Sequence, residues 1–154
     1  MKVISFYESD RQEHWLGKIA ESDWSAGRLL HRHLCKGTFR KTYGESSKVL
    51  LLTEGEELVS FCTYAERDDI QPTELSPWMG FVFTFPAYRG HRYVGLLSAE
   101  AERLAREEHK PAVYISTGHV GLYEKYGYRF LDCRRDMNGE MERVYMKEVR
   151  PESP

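Results

Sequence analysis

Residues 88–95, Tyr88-Arg89-Gly90-His91-Arg92-Tyr93-Val94-Gly95, gather two arginines, a histidine and two glycines into one short stretch. They follow an apolar run, Trp78–Phe85, closed by Pro86, and they open a helical pattern from His91 or Arg92 to about His109. A strand that delivers a helix N-terminus presents free backbone N–H groups and the positive end of the helix dipole, which suits an anion. Gly90 gives the backbone freedom for amides to converge, Arg89 and Arg92 add charge, and His91 adds a donor. Two cations with helix-end amides fit a pyrophosphate. An ordinary strand-to-helix turn with solvated arginines has the same composition, so the loop alone does not decide. Neither GxxxxGK followed by Ser or Thr nor GxGxxG occurs, which argues against a P-loop nucleotidase and a Rossmann dinucleotide site.

The elements that must hold this loop can be read from periodicity. In the helical stripe, Val94, Leu97, Ala101, Leu104 and Ala105 share one face. A short strand follows at 111–116, so residues 78–116 form a βαβ unit with parallel strands and a right-handed crossover. Upstream, 1–7 suits a first strand, and 10–35 is helical with a break at Ser22-Asp23-Trp24, where Ser22 or Asp23 is expected as an N-cap. Residues 37–47 read as a loop. Val49–Leu52 and Leu58–Ala65 read as a hairpin, with Val59, Phe61, Thr63 and Ala65 on one face. Residues 67–77, polar with two prolines, must be a loop. Downstream, 120–126 suits a short helix, and 128–134 and 143–148 suit two closing strands around Asn138-Gly139. The expected fold is therefore α/β, with a mixed, largely antiparallel sheet, one parallel βαβ unit and helices on both faces.

Composition narrows the function classes. The 154 residues fit one domain, expected over 1–150, with a frayed tail at 151–154. Twenty-two Lys and Arg against 24 Asp and Glu leave a net charge of −2, which argues against a nucleic-acid partner. No apolar run is long enough to span a membrane, and the N-terminus lacks a secretory pattern. The three cysteines, Cys35, Cys62 and Cys133, are odd in number and far apart, so they read as reduced thiols of a cytoplasmic protein. No metal site is expected: His31 and His33, two apart on a helix, face different directions.

Two stretches resemble the GCN5-related N-acetyltransferases (GNAT), together covering roughly residues 78–130. Phe83-Thr84-Phe85-Pro86-Ala87-Tyr88-Arg89-Gly90-His91-Arg92-Tyr93-Val94-Gly95-Leu96-Leu97 is similar to the family's strand, Pro-x-Tyr-Arg-Gly turn and coenzyme A pyrophosphate loop. Gly121-Leu122-Tyr123-Glu124-Lys125-Tyr126-Gly127-Tyr128 is similar to its Leu-Tyr-x-x-x-Gly-Phe segment, with Tyr128 in place of Phe. Against the family loop Arg/Gln-x-x-Gly-x-Gly/Ala, Arg89 matches, whereas Arg92 replaces the first Gly and Val94 the final Gly or Ala. The Val94 side chain could obstruct approach to its amide, and a shifted loop would use Gly95 instead.

The resemblance implies direct acetyl transfer from acetyl-coenzyme A to a primary amine of a small molecule, amino acid, peptide or protein. The implied coenzyme contacts are Phe83 and Thr84 on the strand, nearest the acetyl carbonyl, and the loop residues Arg89, Gly90, His91, Arg92, Tyr93, Val94 and Gly95. Ser116 and His119 near the end of the second parallel strand complete them. Tyr123 matches the tyrosine that protonates the leaving thiolate, although a packing role would fit its helical face equally. Asp69 and Glu74 are the expected catalytic carboxylates, with Asp68 a third candidate in the same loop. A catalytically silent acyl-coenzyme A sensor or an interaction module is the competing reading. Dimers are common in the family, so a homodimer is compatible with the resemblance.

Overall fold

Alternation in some strands and unbroken apolar runs in others resolve into one seven-stranded sheet covered on both faces. The computed structural model describes residues 1–151; of the tail expected to fray, 152–154 lie outside the described residues. The chain runs through β1 (Lys2–Ser5), α1 (Gln12–Ala20), α2 (Ser25–Lys36), α3 (Phe39–Tyr43), β2 (Lys48–Glu54) and β3 (Glu57–Ala65). It continues through β4 (Trp78–Thr84), α4 (Val94–Glu107), β5 (Ala112–Thr117), a 3-10 turn at Tyr123–Tyr126, β6 (Arg129–Arg135) and β7 (Met141–Glu148). Strand order is β1-β2-β3-β4-β5-β7-β6, antiparallel throughout except for β4 and β5.

Val49, Leu50, Leu51 and Leu52 are all fully or nearly fully buried because both faces of β2 are covered. Leu50 and Leu52 join Cys62, Met79, Val113, Ile115 and Tyr145 beneath α4, through its Leu97, Ala101 and Ala105. Val49 and Leu51 join Phe61 and Phe83 beneath α1 and α2, through Trp15, Ile19 and Leu30.

Several elements differ from expectation, each for a local reason. Residues 37–47 contain α3, because Phe39 and Tyr43, one turn apart, both bury against the second cluster. Trp24, not Ser22 or Asp23, occupies the N-cap of α2. The Ser22 hydroxyl instead donates to the Ile19 carbonyl at 2.7 Å. Helix α4 begins at Val94, later than expected, and the helix expected at 120–126 contracts to the 3-10 turn. Val59 lies with Cys62 and Tyr64 rather than with Phe61 and Ala65, because the β2–β3 register shifts between Leu52 and Thr53.

Two features open the middle of the sheet. Strands β4 and β5 pair at one position only, Trp78 with Tyr114, and then diverge. On its other side β4 pairs Phe83 with Phe61 and Gly80 with Thr63, so three steps on β4 match two on β3. The extra residue is a bulge at Phe81–Val82, where Phe81 takes φ +49°.

Neighbouring leucines on α4 test the packing. Leu97 is fully buried and Leu96 is 46% exposed. Leu97→Ala should lower unfolding free energy by about 3 kcal/mol and Leu96→Ala by under about 0.5 kcal/mol, read from urea denaturation.

Candidate active site

The bulge sets where the cleft lies. A bulky residue at positive φ is uncommon, and Phe81 is held there by its neighbours. Its ring meets that of Tyr43 edge-on at 5.6 Å, and the Tyr43 hydroxyl donates to Asp69 Oδ1 at 3.0 Å. Burial, reinforced by Asp69, pushes the Tyr43 hydroxyl well above its ordinary pKa, so it remains a donor.

Beyond the bulge a cavity of about 360 Å³ opens between β4 and β5, lined by Gly80, Phe81, Val82, Ser116, His119 and Tyr123 among others. A second cavity of about 230 Å³ shares Trp24, Gly80, Phe81, Ser116 and Glu142 with it and adds Asp68, Asp69 and Asp136. A larger concavity, about 760 Å³, lies along the edge of β1 between α1 and α4, and none of the expected site residues lines it. Chemistry, not size, therefore picks the β4–β5 cleft.

Tyr123 is 7% exposed, and burial pushes its hydroxyl well above the usual phenol range. It is therefore protonated at neutral pH and faces the cavity. Asp68 receives the Ser116 hydroxyl on Oδ2 at 2.8 Å and the Ile70 amide at 3.3 Å. Burial nevertheless pushes its carboxyl up to about 6; the Ser116 hydrogen bond opposes that rise and neighbouring Asp69 adds to it. Glu142 is raised too, first by burial and then by Asp136, Glu140 and Asp69.

Of the expected carboxylates, Asp69 borders the second cavity, while Glu74 does not. The Glu74 side chain is 78% exposed and faces Arg134 at 3.9 Å. Ser116 lines both cavities with its hydroxyl engaged by Asp68. His119 lines the first cavity, its amide donating to Thr117 Oγ1 and its carbonyl accepting from the Tyr145 hydroxyl.

The loop before α4 has an unusual backbone. The amides of Gly90, His91, Arg92, Tyr93 and Val94 have no acceptor among the described residues, whereas those of Gly95 and Leu96 donate to the Arg92 and Tyr93 carbonyls at 3.0 Å. Gly90 takes φ +89° and Arg92 φ +58°, so Arg92 keeps a left-handed backbone that glycine adopts freely. Val94 packs its side chain against the core beneath α4, away from the amides. Gly95 serves packing: a Cβ there would sit 3.4 Å from the Tyr126 ring. Arg89 turns back along β4, donating to the Thr84 carbonyl at 2.9 Å, with its guanidinium 5.4 Å from the centre of the Phe83 ring. Phe83 points to the other face, stacked on Trp24 at 5.6 Å, and Thr84 bonds Ser60 through their hydroxyls. His91 stacks on Tyr93 at 5.2 Å.

A family model described as an acetyltransferase (GNAT) domain matches residues 33–131. The chain belongs to the GNAT acetyltransferase family. No curated protein matches it. Among solved structures, aminoglycoside 6'-N-acetyltransferase from Enterococcus faecium is similar at TM-score 0.68 and 12% identity, over 100% of both chains. An aminoglycoside 6'-N-acetyltransferase complexed with coenzyme A gives TM-score 0.66 and 11% identity, over 100% of both chains. A GNAT acetyltransferase from Elizabethkingia anophelis with acetyl-CoA bound gives TM-score 0.66 and 15% identity, over 96% of this chain and 97% of that one. At these identities the likeness is one of fold. Family membership makes the chain an acetyltransferase.

Phe81 and Glu142 line the cleft without having stood out in the sequence; Trp24 lines it too. Among the described residues no group of three or more His, Cys, Asp or Glu could hold a metal ion, and no helix is long and apolar enough to cross a membrane.

The left-handed Arg92 yields a stability test. Arg92→Val, which places a β-branched side chain at φ +58°, should lower unfolding free energy by about 1–2 kcal/mol. Arg92→Gly should not lower it, as read by calorimetric melting.

Proposed function

We propose that this enzyme transfers an acetyl group from acetyl-coenzyme A directly to a primary amine, with residues 1–150 acting as one catalytic domain. The observation that carries this reading is the splay of β4 from β5 after Trp78, which leaves a cavity lined by Tyr123, together with five amides at Gly90–Val94 that have no acceptor among the described residues. Those amides, at a helix N-terminus and beside Arg92 and His91, suit a pyrophosphate. The β4 edge that β5 leaves free past Trp78 suits an extended, amide-bearing arm. Both halves fit coenzyme A, which when bound would supply the activated acetyl thioester.

The chain's own groups then divide the work. Loop amides hold the phosphates, and backbone N–H groups near the bulge would polarise the thioester carbonyl. Tyr123, protonated at neutral pH, donates to the departing sulfur. Trp24, Asp69, Asp136 and Glu142 form a wall with aromatic surface and negative charge, which favours a cationic acceptor. All three cysteines are free, in keeping with a reducing cytoplasmic setting.

Acetyl-coenzyme A at about 100 times its dissociation constant should stabilise the protein by roughly 2.7 kcal/mol, seen as a rise in melting temperature absent with ATP or NAD. In an acceptor screen, polyamines and aminoglycosides should outperform neutral and acidic amines; the reverse order contradicts the cationic acceptor. Tyr123→Phe should keep the thermal shift while kcat falls about 100-fold. Full turnover in that variant removes Tyr123 as the acid.

A further inference from the structure

An amine acceptor arrives mostly as ammonium, and the acetyl-transfer reading leaves open what takes its proton. Three carboxylates precede β4, and the structure separates them. Glu74 is outside the cleft, and Asp69 borders the second cavity with Oδ1 receiving the Tyr43 hydroxyl. Asp68 lines the same cavity and is held from two sides. Its Oδ1 lies 3.4 Å from where a Cβ on Gly80 would stand, so the carboxyl sits directly against the bulge. Its Oδ2 receives Ser116 from β5, which fixes the group across the mouth of the cleft.

We infer that Asp68 is the general base of the reaction, positioned by Ser116; this rests on the acetyl-transfer reading. A Cβ on Gly80 would stand 3.2 Å from Thr63 Oγ1 and 3.4 Å from Asp68 Oδ1, so the carboxyl lies within contact distance of the strand at the bulge. The ionisable groups facing it come from every adjoining element: Asp69 on its own loop, Tyr43 on α3, and Asp136 and Glu142 on the β6–β7 hairpin. None is cationic, so no fixed partner neutralises the carboxylate. Burial and Asp69 hold its pKa near 6, which leaves it mostly ionised at pH 7 yet about a hundredfold more basic than an ordinary aspartate.

The proton balance closes. The ammonium gives one proton to Asp68, which frees the nitrogen lone pair. As the C–N bond forms and the C–S bond breaks, nitrogen sheds a second proton and sulfur takes one from Tyr123. The second proton restores Tyr123, the first leaves Asp68 to water, and one proton is released overall.

The test combines three variants with the pH profile of kcat/KM and the acetyl-coenzyme A thermal shift. Wild type should show an ascending limb near pH 6. Asp68→Asn should keep the thermal shift, lose about 100-fold at pH 7, and recover as pH rises and free amine accumulates. Ser116→Ala, which removes a stabiliser of the carboxylate, should move the limb to higher pH. Asp69→Asn, which removes a neighbouring charge, should move it to lower pH. Activity within threefold of wild type in Asp68→Asn, or a limb unmoved by both other variants, overturns the role of Asp68 alone. A wild-type protein that binds acetyl-coenzyme A but acetylates no amine overturns the transfer reading, and this role with it.

Discussion

The bulge in β4 is the constraint on which the site depends. One extra residue between Gly80 and Phe83 turns the strand away from β5 after a single pairing at Trp78. A parallel sheet that kept its ladder would leave no strand edge for a ligand. The cost falls on Phe81, whose φ of +49° is worth about 1–3 kcal/mol of strain. It persists because its surroundings over-determine it: the Tyr43 ring meets Phe81, and the Tyr43 hydroxyl is anchored on Asp69. The same contacts that hold the bulge therefore place the acidic loop beside it.

Charge is segregated along the cleft. At one end lie unpaired amides, a helix N-terminus and Arg92; at the other lie Asp68, Asp69, Asp136 and Glu142. The net charge of −2 conceals that polarity completely. On the acetyl-transfer reading proposed above, an anionic coenzyme and a cationic amine would approach the cleft from opposite ends, each drawn to the field that complements it. Tyr123 and Asp68 line the two adjoining cavities, both shifted toward their protonated forms by burial. A phenol kept neutral can donate, and a carboxyl kept near 6 can accept, so one cause serves both functions.

Local features were legible in the sequence, and long-range ones were not. The loop at 88–95 and the Tyr123 segment are contiguous motifs, and the βαβ unit follows from strand and helix periods within residues 78–116. The bulge is invisible locally, since it exists only as a mismatch between β4 and β3. Helix α3 hides in a segment rich in glycine, serine and charge, betrayed only by the Phe39–Tyr43 spacing. Asp68, Asp69 and Glu74 are all acidic and share one loop, and only their folded surroundings distinguish them: Ser116 bonds Asp68, Tyr43 bonds Asp69, and Glu74 is exposed. Trp24 reaches the cleft because the chain turns between α1 and α2, which no periodicity encodes. Arg92 shows the opposite case: its type departs from the family motif, while its backbone keeps the glycine-like conformation.

Amide hydrogen exchange, followed by mass spectrometry with and without acetyl-coenzyme A, tests the central claim most directly. If the splayed strands are the coenzyme site, ligand should slow exchange in peptides covering 79–84 and 90–94, where amides lack protein partners or β5 leaves an edge open. The groove along β1 should be unaffected. Protection confined to that groove, or none in either β4 or the loop at saturating ligand, would contradict the account.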